Sequence, residues 1–448
     1  MRDVILLLAV LAALPFAIRK TWFAVLLWTW LSVMNPHRLT WGFAFDFPFA
    51  ALAASAALVS LLVSRDKKIE LPRNAPVIVL ALFLIWVCIT TAASIYPEQS
   101  YEELKRTLKI QLMTMIAIAA LRERLHIHAF VWVNVLSIGL YGVKGGLFTI
   151  LSGGANRVWG PPGSYIDGNN EVGLAIVLAI PLMYYLRLHS ANVWVRRGLL
   201  AMMVLSAAAA LGTQSRGALL AISAMALVMW IRMPKKIVGA GVMIVIGIAL
   251  LAFMPESWEL RMRSIGEYQS DGSAMGRINA WLMAVNLANE RPLGGGFSII
   301  TDELFAKYAP DPLDIHAAHS IYFQVLGEHG YFGLFLYLLL GLLTFRMASQ
   351  VRKLARKKPE DRWIFDLVGM CQVSMVGFAV GGAFLSLAYF DLPYNVLVII
   401  VVCMRYLRER DASAALAASP STQQQADAQR SPAVQGAGPR RITTGYSP

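Results

Sequence analysis

The chain has 448 residues, 57% of them hydrophobic and 15% charged, with a mean hydropathy of +0.56. Water cannot solvate that much apolar surface on a folded domain, so the composition excludes a soluble enzyme and makes lipid the solvent. A net charge of +13 would suit a nucleic-acid binder, but the Lys and Arg sit mostly in short loops between apolar runs. That is the positive-inside pattern of an all-α polytopic membrane protein, and the runs do not alternate as barrel strands would.

In chain order, the first apolar run, 4–18, resembles the core of a signal peptide. A second run at 22–34 follows at once, so the first reads as a retained segment. Both are short of the roughly 20 residues a span needs, and together they read as one broken or re-entrant element. Further runs lie at 43–63, 76–95, 108–121, 127–150, 172–188, 195–211, 218–231, 237–254, 321–345, 363–388 and 393–404, which predicts about 12 spans. Arg65, Lys67, Lys68 and Arg73 mark one cytoplasmic loop. Arg187, Arg196 and Arg197 mark another, Arg232, Lys235 and Lys236 a third, and 346–362 a fourth. The loops at 96–107, 151–171, 212–217, 255–320 and 389–392 then face outward. The chain divides into N-terminal spans (1–254), one large outer loop (255–320), C-terminal spans (321–410) and a tail (411–448). The tail is rich in Ala, Ser, Gln, Pro and Gly and reads as disordered. Cys88, Cys371 and Cys403 all fall in apolar runs, so the outer loop must hold together without a disulfide framework. No internal repeat stands out, which weakens a transporter reading.

The outward segments carry the candidate chemistry. Thr213-Gln214-Ser215-Arg216-Gly217 is a polar break between two runs. An Arg at a span end ordinarily snorkels to the interface, though the charge bias runs against one on the outer face. Arg277 falls in the first turn of a predicted helix over 274–289, where it reads as a solvated cation or as half of an anion site. Arg291 precedes Pro292-Leu293-Gly294-Gly295-Gly296, which lacks the Lys-Ser/Thr of a phosphate loop and reads as a flexible turn. His316 and His319, three residues apart, would share a helix face. They have no third ligand of comparable specificity, so no metal is assigned. A His at the water–lipid boundary suits acid–base work, or has no role beyond the interface. Glu328 lies deeper in the following span, where it holds neighbours or lines a polar cavity. Lys144, between glycines near the outer end of its span, and Arg157 in the next loop add positive charge. Cations with a His among them, and no facing carboxylate pair, fit binding a polyanionic head group such as a lipid diphosphate. Nothing in the pattern asks for a nucleotide, a cofactor or nucleic acid.

The order of these motifs resembles the Wzy-C superfamily of bacterial O-antigen ligases and polymerases, particularly its ligase (WaaL) branch. The residues that carry the resemblance are Ser215-Arg216-Gly217, Gly276-Arg277 with Trp281, and Pro292-Leu293-Gly294-Gly295-Gly296. His319-Ser320 with Gln324, Gly327-Glu328-His329-Gly330 and Gly333 complete it. The motifs cover about 156–333. The stretch 34–42 is also similar to a branch of O-glycosylation ligases associated with the exosortase system. The resemblance implies a GT-C-like glycosyltransferase of the bacterial inner membrane with its site facing the periplasm. It implies transfer of a glycan from undecaprenyl diphosphate to lipid A-core, with neither metal nor nucleotide. It carries over His319 as the catalytic residue and Arg216 and Arg277 as the essential cations. Lys144, Arg157, Arg291 and His316 are assigned to substrate binding by charge and position alone. A polymerase or a protein O-glycosylation ligase of the same superfamily, and a lipid-linked glycan transporter, are the alternatives.

Overall fold

The computed structural model describes residues 1–64, 69–233, 236–252, 255 and 272–417. Arg65, Lys67, Lys68, Lys235, Arg261, Arg263 and the tail from 418 lie outside the described residues. Those described form helices and connecting turns, with no strand among them.

The helices are α1 (Arg2–Arg19), α2 (Thr21–Met34), α3 (Phe49–Val63), α4 (Ala75–Ala92), α5 (Pro97–Ala120), α6 (Arg124–Leu151), α7 (Asn169–His189) and α8 (Val193–Gly212). They continue with α9 (Arg216–Arg232), α10 (Lys236–Ala252), α11 (Gly272–Glu290), α12 (Asp302–Tyr308), α13 (Ile321–Ala355), α14 (Arg362–Gly381) and α15 (Asp391–Ala417). Their starts follow the usual chemistry. Asn74, Asn192, Ser215 and Thr301 accept backbone N–H bonds as N-caps, and Pro97 opens α5, where its missing N–H costs nothing.

Six stretches among the described residues are long and apolar enough to cross a membrane, against the 12 or so expected. These are α4, α6, α7, α8, α13 and Pro359–Phe384, which contains α14. The others fall short for physical reasons. α2 and α3 have only 14 and 15 residues, and α1 and α2 are separate helices broken at Lys20, whose backbone is extended. The 97–107 stretch is not a loop but the charged first half of α5. α15 likewise runs on to Ala417, into the expected tail.

Small residues set the packing. Gly142, Gly145 and Gly146 let α6 lie directly on α8, and a Cβ on Gly145 would come 3.1 Å from that of Ala209. α13 is bent at Gly330, whose φ of 69° and ψ of −174° divide the helix into a short limb and a long one. The glycine loop after α11 fills that bend. Gly295 N–H donates to the Gly327 carbonyl and Gly296 N–H to that of Glu328, both at 2.9 Å. This segment is therefore a backbone lock rather than a flexible turn. A separate cluster of Ala280, Met283, Leu287, Ile299, Leu304, Phe305 and Tyr308 gives 272–320 a core of its own. All three cysteines are free.

Candidate active site

The 213–215 break ends α8 because Gln214 takes a left-handed conformation, φ 54°, and Ser215 then caps α9 through Ala218 N–H at 3.2 Å. Arg216 becomes the first residue of α9. The break is held from two sides. Asn169 at the start of α7 donates to the Thr213 carbonyl at 2.8 Å, and Arg157 Nε donates to Gln214 Oε1 at 3.3 Å. Gly173 lets α7 approach closely enough that a Cβ there would lie 2.7 Å from Thr213 Oγ1.

α11 supplies Arg277. The helix begins at Gly272, so Arg277 stands in its second turn, beyond the free N–H groups that a first-turn position would share with an anion. Its guanidinium lies within electrostatic reach of Glu171, in the first turn of α7, and of His319. α11 also fixes the approach to His319. Asn279 donates to the carbonyls of Asp311 and Asp314 at 2.8 and 2.9 Å and accepts from Asp311 N–H at 2.9 Å. Trp281 Nε1 donates to the Ala318 carbonyl at 2.6 Å, and its ring stacks on Phe323 with centroids 4.8 Å apart.

His316 and His319 do not share a helix face. Residues 314–320 are irregular, α13 starts only at Ile321, and His319 has φ 42°. His316 Nδ1 is 2.7 Å from Asp314 Oδ1, and its ring lies over Gly276, where a Cβ would be 2.7 Å from Nδ1. His319 Nδ1 is buried and makes no hydrogen bond to a described residue. Burial, then the positive charge of Arg277 and of His316, pulls its pKa down to about 4. The imidazole is therefore neutral at physiological pH and able to accept a proton. Among the described residues, no three His, Cys, Asp or Glu side chains are grouped to hold a metal.

Close contacts connect the two halves of the site. Gly217 packs on Phe384 and the Gly381 carbonyl, at 3.3 and 3.5 Å from an added Cβ, and Gly382 packs on Ile321, at 2.6 Å. Arg216 and His319 thus flank the turn after α14. Below it, buried Glu328 accepts from Tyr389 Oη at 2.5 Å and from Gln324 Nε2 at 3.4 Å, tying α13 to the chain entering α15. Glu328 holds neighbours, one of the two roles open to it from sequence.

The structure brings Arg157, Arg216, Arg277, His316 and His319 to one end of the bundle. It sets Arg291 and Lys144 apart. The Arg291 guanidinium is bound to the carbonyls of Ala93 at 3.0 Å and Gly294 at 3.4 Å, so it ties the glycine loop to the end of α4. Lys144 is exposed on the outer face of α6, in line with exposed Leu136, Leu140, Leu147 and Leu151, while the flanking glycines serve α8. Glu171 escaped the sequence reading as a partner of the cations, because only the fold carries α7 to α11.

Residues 201–338 match the Wzy_C family, described as O-antigen ligase, and residues 1–191 match a family of unknown function, DUF5935. No curated protein matches the chain.

Proposed function

We propose that this chain, which carries a Wzy-C domain over residues 201–338, is an O-antigen ligase. In this reading it moves a glycan from undecaprenyl diphosphate to lipid A-core at the periplasmic face of the inner membrane. The observation that carries the reading is the buried, neutral imidazole of His319 beside the Arg277 guanidinium, inside that domain. Such a pair suits a displacement in which a hydroxyl loses a proton while a diphosphate gains charge.

The acceptor hydroxyl attacks the anomeric carbon of the donor sugar. Its proton passes to the imidazole of His319 as the new C–O bond forms. The bond from that carbon to the diphosphate oxygen breaks, and the diphosphate leaves with the electron pair. Arg216 and Arg277 stabilise that charge as it develops, with Arg157 alongside through Gln214. One displacement inverts the anomeric configuration. Neither a metal nor a nucleotide is asked for by this chemistry.

The test is transfer by purified protein in detergent, from undecaprenyl diphosphate glycan to lipid A-core. His319→Ala and Arg277→Ala should each fold and lose about 10²–10⁴ in rate, and a chelator should leave the wild type unchanged. Full activity in His319→Ala, or a product of retained configuration, overturns the scheme. Chain growth from the donor alone, or transfer to a protein, would keep the superfamily and change the acceptor. Lipid translocation in vesicles that survives His319→Ala would favour a transporter.

A further inference from the structure

A second cationic cavity opens away from the site just described. It has a volume of about 330 Å³ and lies between α2, α3, α5, the 164–166 stretch and the start of α15. Arg106 and Lys109 line it from successive turns of α5. The α3 side is formed by small apolar residues such as Ala51 and Ala54. Leu58 and Leu112, also in its lining, are largely exposed, which opens the cavity to lipid.

Two cations face one carboxylate among the lining residues, and Glu103, one turn before Arg106, lies within electrostatic reach of the lining Tyr165. The lining carboxylate, Asp391, accepts from Ser32 Oγ at 2.7 Å and lies within electrostatic reach of Arg106. The Arg106 guanidinium stacks on Tyr165, 3.8 Å from the ring centroid. Lys109 makes no ion pair with a described residue. At 1.5 Å per residue, Lys109 stands about 18 Å along α5 from Pro97, one turn beyond Arg106, with its side chain exposed at the cavity's edge. Surplus positive charge beneath an apolar lateral opening fits one class of ligand, an amphiphile with a phosphate head.

The same connecting segment serves both sites. Its Arg157 touches Gln214 on the side of the break, and its Tyr165 carries Arg106 on the side of the cavity. A transferase acting between two lipids needs a second lipid held across from the diphosphate. We infer that the cavity lined by Arg106 and Lys109 binds a phosphate group of the acceptor glycolipid and so positions it opposite the donor, an inference that rests on the ligase reading.

The experiment uses full-length protein in nanodiscs, with Arg106→Gln, Lys109→Gln and the double variant. The acceptor is lipid A-core, intact or stripped of its phosphates. The double variant should raise KM for intact acceptor about tenfold, equivalent to about 1.4 kcal/mol, while kcat and donor KM stay at wild-type values. With stripped acceptor, wild type and double variant should have the same raised KM. Lys109→Gln alone, which changes an exposed side chain, should give part of the effect with unchanged melting. Unchanged acceptor KM, a rise in donor KM instead, or an effect that follows the phosphatidylglycerol content of the disc overturns the assignment. Native mass spectrometry separates this from the ligase reading. Retention of intact over stripped lipid A-core, lost in the double variant, with no transfer at all, would keep the site and sink the ligase. Transfer with binding blind to acceptor phosphate would do the reverse.

Discussion

His319 owes its character to its surroundings. An exposed imidazole is half protonated near pH 6.5, whereas burial and the Arg277 cation bring this one to about 4. Only the neutral ring can take the acceptor's proton. For free enzyme, kcat/KM for the donor should stay level from neutral pH down to about 5 and fall as pH passes through about 4. A docked diphosphate offsets the field of Arg277, which raises the His319 pKa, so the acid limb of kcat should lie at higher pH than that of kcat/KM. Two pH profiles from one transfer assay check this, and coincident limbs would mean that Arg277 does not meet the diphosphate. The order of the motifs singles out both His319 and Arg277, and the fold brings the two within electrostatic reach of each other. Arg291 and Lys144 were misjudged because a count of cations does not say what each one faces. The face of Lys144 was in fact readable, since Leu136, Leu140, Leu147 and Leu151 share it at helical spacing. The bond from Arg291 to the Ala93 carbonyl was not, because its partner is 198 positions away.

At the scale of elements, α11 and the bend of α13 make the site rigid. The sequence places α11 well, since an apolar face at 278, 281, 282 and 285 bounded by Pro292 leaves little choice. It does not reveal the bend at Gly330, because a glycine inside a helical pattern is tolerated more often than it breaks one. The bend also explains Gly295 and Gly296, whose N–H groups answer carbonyls that a straight α13 would bind itself, while Gly294 N–H closes the turn on the Arg291 carbonyl. Trp281 joins α11 to the segment that carries His319 by two separable contacts, its N–H bond to the Ala318 carbonyl and its stack on Phe323. Trp281→Phe keeps the stack and frees the backbone just before His319. We expect kcat to fall about tenfold with donor KM and melting temperature little changed, whereas Trp281→Ala should also lose stability. Steady-state rates beside a thermal melt decide it, and a fully active Trp281→Phe would mean that His319 is positioned by other contacts.

For the molecule as a whole, several cations far from the site anchor helices to one another. At the end away from the site they are bound within the protein. Arg232 donates to the Gly369 carbonyl at 2.9 Å, Arg352 to Gln372 at 3.1 Å, Arg405 to the Leu121 carbonyl, and Arg410 to both oxygens of Asp361. Arg232 and Arg352 belong to loops that the positive-inside pattern assigns to the cytoplasm. Against about 12 expected spans, six stretches among the described residues are long and apolar enough by themselves, and helices such as α2 and α3, of 14 and 15 residues, are too short alone for about 30 Å of hydrocarbon. At the other end Arg277 of α11 lies within electrostatic reach of His319, and Arg216 opens α9 across the turn after α14. If the first end is cytoplasmic, the second must meet the periplasm, where a ligase would find both lipids. The three native cysteines sit within helices, two of them buried, so a cysteine-free background is attainable. In that background, Asp302→Cys, exposed on α12 in the same 272–320 segment as His319, should react with a membrane-impermeant thiol reagent in intact cells with a permeable outer membrane. Glu360→Cys, at the opposite end, should react only after the inner membrane is opened. The reverse pattern would put His319 in the cytoplasm, and no periplasmic ligase could then work from this site.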